Sequence, residues 1–168
     1  MFSDKVSNRK IPVLKNQYPL IKRNIWNMSI SFAQQIDSFA LPNEQQLKKW
    51  ITTVVTSHGK RVGVISYLFC DDEYVLSANQ SFLNHDTYTD IITFDYVEGD
   101  VISGDIMISV DRVAENAVSF GNTFEQELLR VIIHGILHLL GQGDKTDEDA
   151  AEMRRRENLA LQLWNTII

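Results

Sequence analysis

The sequence predicts an α+β fold, one compact domain in which about five helices surround a small central mixed sheet. Three observations carry that expectation. The 168-residue chain is long enough for one sizeable core, and its 44% hydrophobic and 23% charged residues are those of an ordinary globular protein. Short runs rich in β-branched and aromatic residues alternate with longer runs of helical spacing. Helical patterns come before, between and after the strands, with no internal repeat and no low-complexity stretch.

Taken in order, residues 1–27 lack periodicity and hold six Lys/Arg against the single acid Asp4. They read as a basic, poorly ordered extension, a candidate tether for RNA or another acidic surface, with Met28 as a candidate true start. From Met28, "MSISF" alternates like a strand and opens the domain expected over 28–168. "PNEQQLKKWITTVVTSHG" follows as a helix, capped by Asn43 and stopped at Gly59. "RVGVISYLF" is a strand, and Cys70 after it is a buried structural thiol. "DDEYVLSANQSFLN" is a short amphipathic helix started by Asp71 or Asp72. "IITFDY" and "GDIMISV" are two more strands, parted by the turn-rich "VEGDVIS". Asp111 caps the helix "DRVAENAVSFG", which Gly121 ends. A long helix covers about 123–140, and "TDEDAAEMRRRENLALQLW" is the last, capped by Thr146.

Composition narrows the function classes. One cysteine cannot form an internal disulfide, which places the chain in a reducing cytoplasm. No stretch approaches the roughly 18 consecutive apolar residues of a membrane span. Beyond residue 27 the body holds ten basic and twenty-one acidic residues, a poor match for broad charge-driven binding to nucleic acid, although a local basic site is compatible with it.

The long helix carries the chemistry. Helical spacing aligns Glu127, Val131 (with Arg130 beside it), His134 and His138, and residues four apart lie one above the other. Both imidazoles therefore reach one metal ion. Gly141 ends the helix with a residue that readily takes positive φ, so the chain folds back and brings Asp144 as a third ligand. The metal site is expected at the C-terminal end of this helix, and three protein ligands plus water is the open arrangement of a catalytic zinc. The ligand skeleton of the zinc-protease pattern H-E-x-x-H-x-x-G-x-x-H, in its Asp-ended variants, fits position by position, except that the general-base glutamate is Gly135. Peptide hydrolysis is disfavoured without that base, and a phosphodiester becomes the better substrate.

"HGILHLLGQGD", with "LNHDTYTDIITFDY" and "ISGDIMIS" upstream, resembles the YbeY family of metal-dependent rRNA-maturation endoribonucleases. Its signatures are approximately H-G-x-L-H-L-x-G-Y-D-H, L-N-x-x-Y-R…T-D-V-L-S-F and L-G-D-I-x-I-S. The likeness runs over about residues 29–165. It implies an α+β fold with a central sheet, one zinc per chain, and cleavage of single-stranded precursor rRNA in 16S 3′-end maturation, with the small ribosomal subunit as partner. The metal ligands it implies are His134, His138 and Asp144. Asp144 departs from the histidine most relatives have, and gives a harder, anionic ligand. The family's arginine after L-N is missing from "HDTYTD", so His85 and Lys145 are the candidate phosphate contacts.

Other residues are assigned as follows. His58 is surface. Asp105 either orients a metal-binding histidine or satisfies hydrogen bonds at a strand end. Thr89 and Asp90 fix the turn into "IITF". Met153–Arg156 form surface ion pairs, and Leu161, Leu163 and Trp164 are packing. Two other functions compete with the endoribonuclease: a non-catalytic ribosome-assembly factor with a structural metal, and a metallopeptidase.

Overall fold

The computed structural model describes residues 4–6, 29–36, 39–83 and 87–167. Four strands form its mixed sheet: β2 (Ser29–Gln34), β3 (Arg61–Cys70), β4 (Ile91–Asp95) and β5 (Val101–Ser109). A three-residue strand, β1 (Asp4–Val6), pairs in parallel with β4 at one edge, which gives the order β1-β4-β5-β3-β2. β3 runs parallel to both β2 and β5, while β4 is antiparallel to β5. Five helices are present among the described residues: α1 (Glu44–Ser57), α2 (Asp72–Leu83), α3 (Val110–Phe120), α4 (Phe124–Leu139) and α5 (Asp147–Trp164). The α+β expectation and its helix count are met.

Strand alternation divides the sheet into two faces. On one, Ile65, Tyr67, Phe69, Ile91, Ile106 and Ile108 form the main core with α1, α4 and α5. On the other, Cys70, Ile92, Phe94 and Met107 pack with Val75 and Ala78 of α2. Cys70 is buried as expected. The main core includes two polar handles that bond to helix carbonyls. Trp50 Nε1 donates to Ala160 O at 2.7 Å, and Tyr67 Oη donates to Ile132 O at 3.1 Å. A buried aromatic that reaches a partner adds its area without an unsatisfied polar atom.

The expected caps are present at most helix ends. Asn43 accepts from Gln45 N and Gln46 N, Asp71 from Tyr74 N, and Thr146 from Asp149 N. Thr123 and Gln126 form a reciprocal capping box on α4. At α3 the expectation fails. Ser109, not Asp111, is the N-cap, accepting from Arg112 N at 3.1 Å while its hydroxyl donates to Asp72. The carboxylate of Asp111 instead accepts from Asp72 N. The turn between β4 and β5 is also tighter than "VEGDVIS" implies. Glu98 and Val101 exchange backbone hydrogen bonds around Gly99, and β5 begins at Val101.

Two glycines let α4 sit close to the sheet. A Cβ on Gly135 would stand 3.0 Å from the Cδ1 atoms of Ile91 and Ile106. A Cβ on Gly104 would stand 2.7 Å from Phe94 O and under 3 Å from the Leu139 methyls.

Candidate metal centre

The histidine helix ends in a turn that builds the site. Gly141 takes φ 94°, its N–H donates to His138 O, and Gln142 N–H donates to Leu137 O. This pair of hydrogen bonds closes the helix and reverses the chain. As a result the Gln142 carbonyl faces His138 Nδ1 at 2.8 Å, and Asp144 comes back over both imidazoles.

His134 Nε2 and His138 Nε2 are 2.9 Å apart, and Asp144 Oδ2 lies 3.5 and 3.4 Å from them. Both histidines are 2% exposed. The outer nitrogens are already committed: His134 Nδ1 meets Glu157 Oε1 at 2.8 Å, and His138 Nδ1 meets Gln142 O. With Nδ1–H donating in each ring, two lone pairs and a carboxylate oxygen converge on one point. Such a set can hold a metal ion. Tetrahedral zinc with bonds of about 2.0–2.1 Å separates its ligand atoms by about 3.3 Å, so the three residues fit the ion that the sequence implies. Among the described residues this is the one His/Cys/Asp/Glu cluster with that convergence.

The surrounding charges hold the donors in place. Glu157 is buried on α5; its Oε2 accepts from Arg130 Nη1 at 2.9 Å and lies 3.3 Å from Arg154. Burial would raise its carboxyl, but His134 and Arg130 hold it below the ordinary range. Burial likewise works against a charged His134, yet the hydrogen bonds it donates to Asp144 and Glu157 raise that imidazole to about 9. Asp90 is pushed up by its own burial, and its charge is felt at His134. Asn116 Nδ2 donates to Asp90 Oδ2 at 3.2 Å, fixing the carboxylate from α3.

Of the residues singled out from sequence, His134, His138 and Asp144 come together. Lys145 follows Asp144 but is exposed, and His85 lies outside the described residues. His58 is at the surface, its Nδ1 on Val54 O. Trp164 packs edge-to-face on Trp50 at 5.3 Å, as assigned. Asp105 does not orient a histidine. It pairs with Phe94 across β4 and β5 and alternates with Gly104 and Ile106, which places it on the α2 face, away from α4. Glu157 and the Gln142 carbonyl take that role. Within "MRRRENL", Arg155 and Arg156 do form surface pairs with Glu152. Met153, Glu157 and Ala160 are buried, however, and their spacing of four and three is the signal that marks Glu157 as inward-facing.

Fold and site together define an α+β domain in which two histidines of a buried central helix and an aspartate from the turn after it form a donor set that could hold a metal ion. The family model described as Endoribonuclease YbeY matches residues 30–165. An Endoribonuclease YbeY from Porphyromonas gingivalis is 59% identical over 113 residues, 67% of this chain and 75% of that protein. One from Flavobacterium psychrophilum is 50% identical over 136 residues, 81% and 96% of the two chains. The solution structure of the Thermotoga maritima protein TM1509 superposes with a TM-score of 0.56 at 29% identity, covering 82% of this chain and 93% of that one. The chain belongs to the YbeY endoribonuclease family.

Proposed function

We propose that the protein is a zinc-dependent endoribonuclease that cleaves single-stranded precursor rRNA, acting in 16S 3′-end maturation on the small ribosomal subunit in the cytoplasm. The observation that carries this reading is the convergence of His134 Nε2, His138 Nε2 and Asp144 Oδ2 within 3.5 Å, in a chain of this family. No helix among the described residues is long and apolar enough to cross a membrane.

These three residues would hold the ion, and the chemistry it supplies when bound is polarisation of a phosphoryl oxygen and easier ionisation of water. The chain's own groups prepare that site. Glu157 and the Gln142 carbonyl fix both tautomers, so each Nε2 offers a lone pair. Lys145, one residue beyond Asp144, is the phosphate contact nearest the donors in sequence. Asp90, buried and held by Asn116, adds its negative charge to those that raise the His134 imidazole. Packing at Gly135 argues against a peptidase. Its Cβ direction runs into Ile91 and Ile106 of the sheet, so no carboxylate base fits there.

The depth of the donor set favours one alternative, a non-catalytic assembly factor with a structural metal. A single-stranded RNA oligomer incubated with the protein, with and without chelator, separates the two. The nuclease reading expects cleavage that chelator and His134→Ala both abolish. Full cleavage by a metal-free His134/His138 double variant would overturn it, and stoichiometric metal without turnover would favour the assembly factor. Products ending in a 2′,3′-cyclic phosphate would identify the 2′-hydroxyl as nucleophile.

A further inference from the structure

One turn before His134, Arg130 faces a second concavity, between the first turns of α4 and the last turns of α5. This surface pocket of about 390 Å³ is lined by one guanidinium, five carboxamides, two leucines and Trp164, with no acid among them. Its size lies in the range of small-ligand sites, roughly 300–1,000 Å³.

Its hydrogen-bonding capacity leans toward donors. Arg130 Nη1 donates to Glu157 Oε2 and Asn158 Oδ1, both at 2.9 Å, while Nη2 makes no hydrogen bond among the described residues and Nε is buried without a partner. Asn158 spends its oxygen on Arg130, and Gln126 spends its own on Thr123 N, so each is left with N–H donors, whereas Asn122 donates Nδ2 to Glu127 and keeps its oxygen. Gln162 adds a further amide. Two carboxylates stand behind the wall: Glu157 is matched by Arg130, Arg154 and His134, and Glu127 accepts from Asn122 Nδ2. A donor-rich wall around an arginine, beside the positive end of a 16-residue helix, selects an anion with several acceptor oxygens. The opposite wall of Leu129, Leu161 and Trp164 suits a flat ring.

We propose that this pocket binds one nucleotide unit of RNA, phosphate toward Arg130 and base toward Trp164, at a point on the strand separate from the donor triad. The proposal deepens the endoribonuclease reading and rests on it for the identity of the polymer. It supplies a local RNA grip on a chain whose net charge is −6. Because the same guanidinium also holds Glu157, and Glu157 holds His134, occupancy of the pocket is felt at the metal ligands.

Side-chain NMR on the full chain tests this, metal-free and zinc-loaded, with uridine monophosphate, uridine and inorganic phosphate as separate titrants. Uridine monophosphate is expected to shift the amide groups of Asn158 and Gln162 and the Arg130 guanidinium in both metal states. Uridine should bind at least tenfold more weakly, as should uridine monophosphate to Gln162→Glu, with Gln162→Ala in between. Gln162 is exposed, so both variants should fold, which their backbone spectra check. No shift in the pocket, shifts confined to residues around His134 and His138, or inorganic phosphate binding as tightly as the nucleotide would each overturn the proposal. The metal-free arm does not depend on catalysis. Nucleotide binding without RNA cleavage would count against the proposed function and leave the pocket standing.

Discussion

Glu157 is the residue through which α5 reaches the donor set, and its effect is electrostatic as well as geometric. Glu157→Gln keeps the shape and an acceptor oxygen but removes the charge that makes His134 Nε2 a better donor. The variant is expected to bind zinc about 10-fold to 100-fold more weakly, measured by competition with a chromogenic chelator. The proton on His134 gives a companion prediction. In the metal-free chain this imidazole is raised from 6.5 to about 9 by its two carboxylate partners, against burial. Its contribution to stability is therefore present in full below about 6.5 and lost as pH rises through about 9. Metal must displace that proton. Apparent zinc affinity should climb by about tenfold per pH unit from neutrality to about 9 and then level off, with one proton released per ion as read by calorimetry in buffers of different ionisation enthalpy. An affinity that is flat from pH 7 to 9 would show that His134 is neutral before metal arrives.

At the scale of elements, the seating of α4 on β4 and β5 decides where the histidines stand. Gly104 and Gly135 both permit it, but they differ in what an added methyl would meet. At Gly135 the neighbours are isoleucine methyls at 3.0 Å, and alanine's better helix propensity, worth about 1 kcal/mol, offsets part of the crowding. At Gly104 the first neighbour is the Phe94 carbonyl at 2.7 Å, and backbone in a sheet cannot step aside. Gly104→Ala should cost about 2–3 kcal/mol in urea unfolding and Gly135→Ala clearly less. Equal costs would mean that the helix rides outward as a body. This contact also marks what the sequence could and could not convey. His134, His138, Gly141 and Asp144 were legible because helical spacing and a glycine turn bring them together within eleven residues. Glu157 was not, since it arrives from another helix 23 residues away, inside a charge run that reads as solvated surface. Asp105 misled for a related reason: alternation along a strand is visible in sequence, but which face meets α4 is not. Asp111 lost the cap to Ser109 because both spacings suit a helix start, and the contact that separates them, Asp72 on the serine hydroxyl, comes from 37 residues upstream.

For the molecule as a whole, the donor set ties together parts that the core holds unequally. α4 is buried through most of its length and anchored to the sheet, so its histidines stay in place without metal. The segment from Gly141 to Thr146 has no buried residue, and α5 contributes only Met153, Glu157 and Ala160 to the interior. Asp144 and, through His134, Glu157 are thus the links by which an ion would restrain this less buried side of the protein. Local opening is governed by such differences in burial, not by the average stability of the fold. Hydrogen exchange followed by mass spectrometry, zinc-loaded against chelated, should show faster exchange over about 140–157 on chelation, with β3 and β5 unchanged. A thermal midpoint that rises and saturates with zinc should accompany it, as mass action requires for an ion that binds the folded chain. In His138→Ala both responses should vanish while the sheet keeps its protection. Uniform acceleration across β3, β5 and α4 on chelation would instead show that the ion holds the whole core, which is how a purely structural metal behaves.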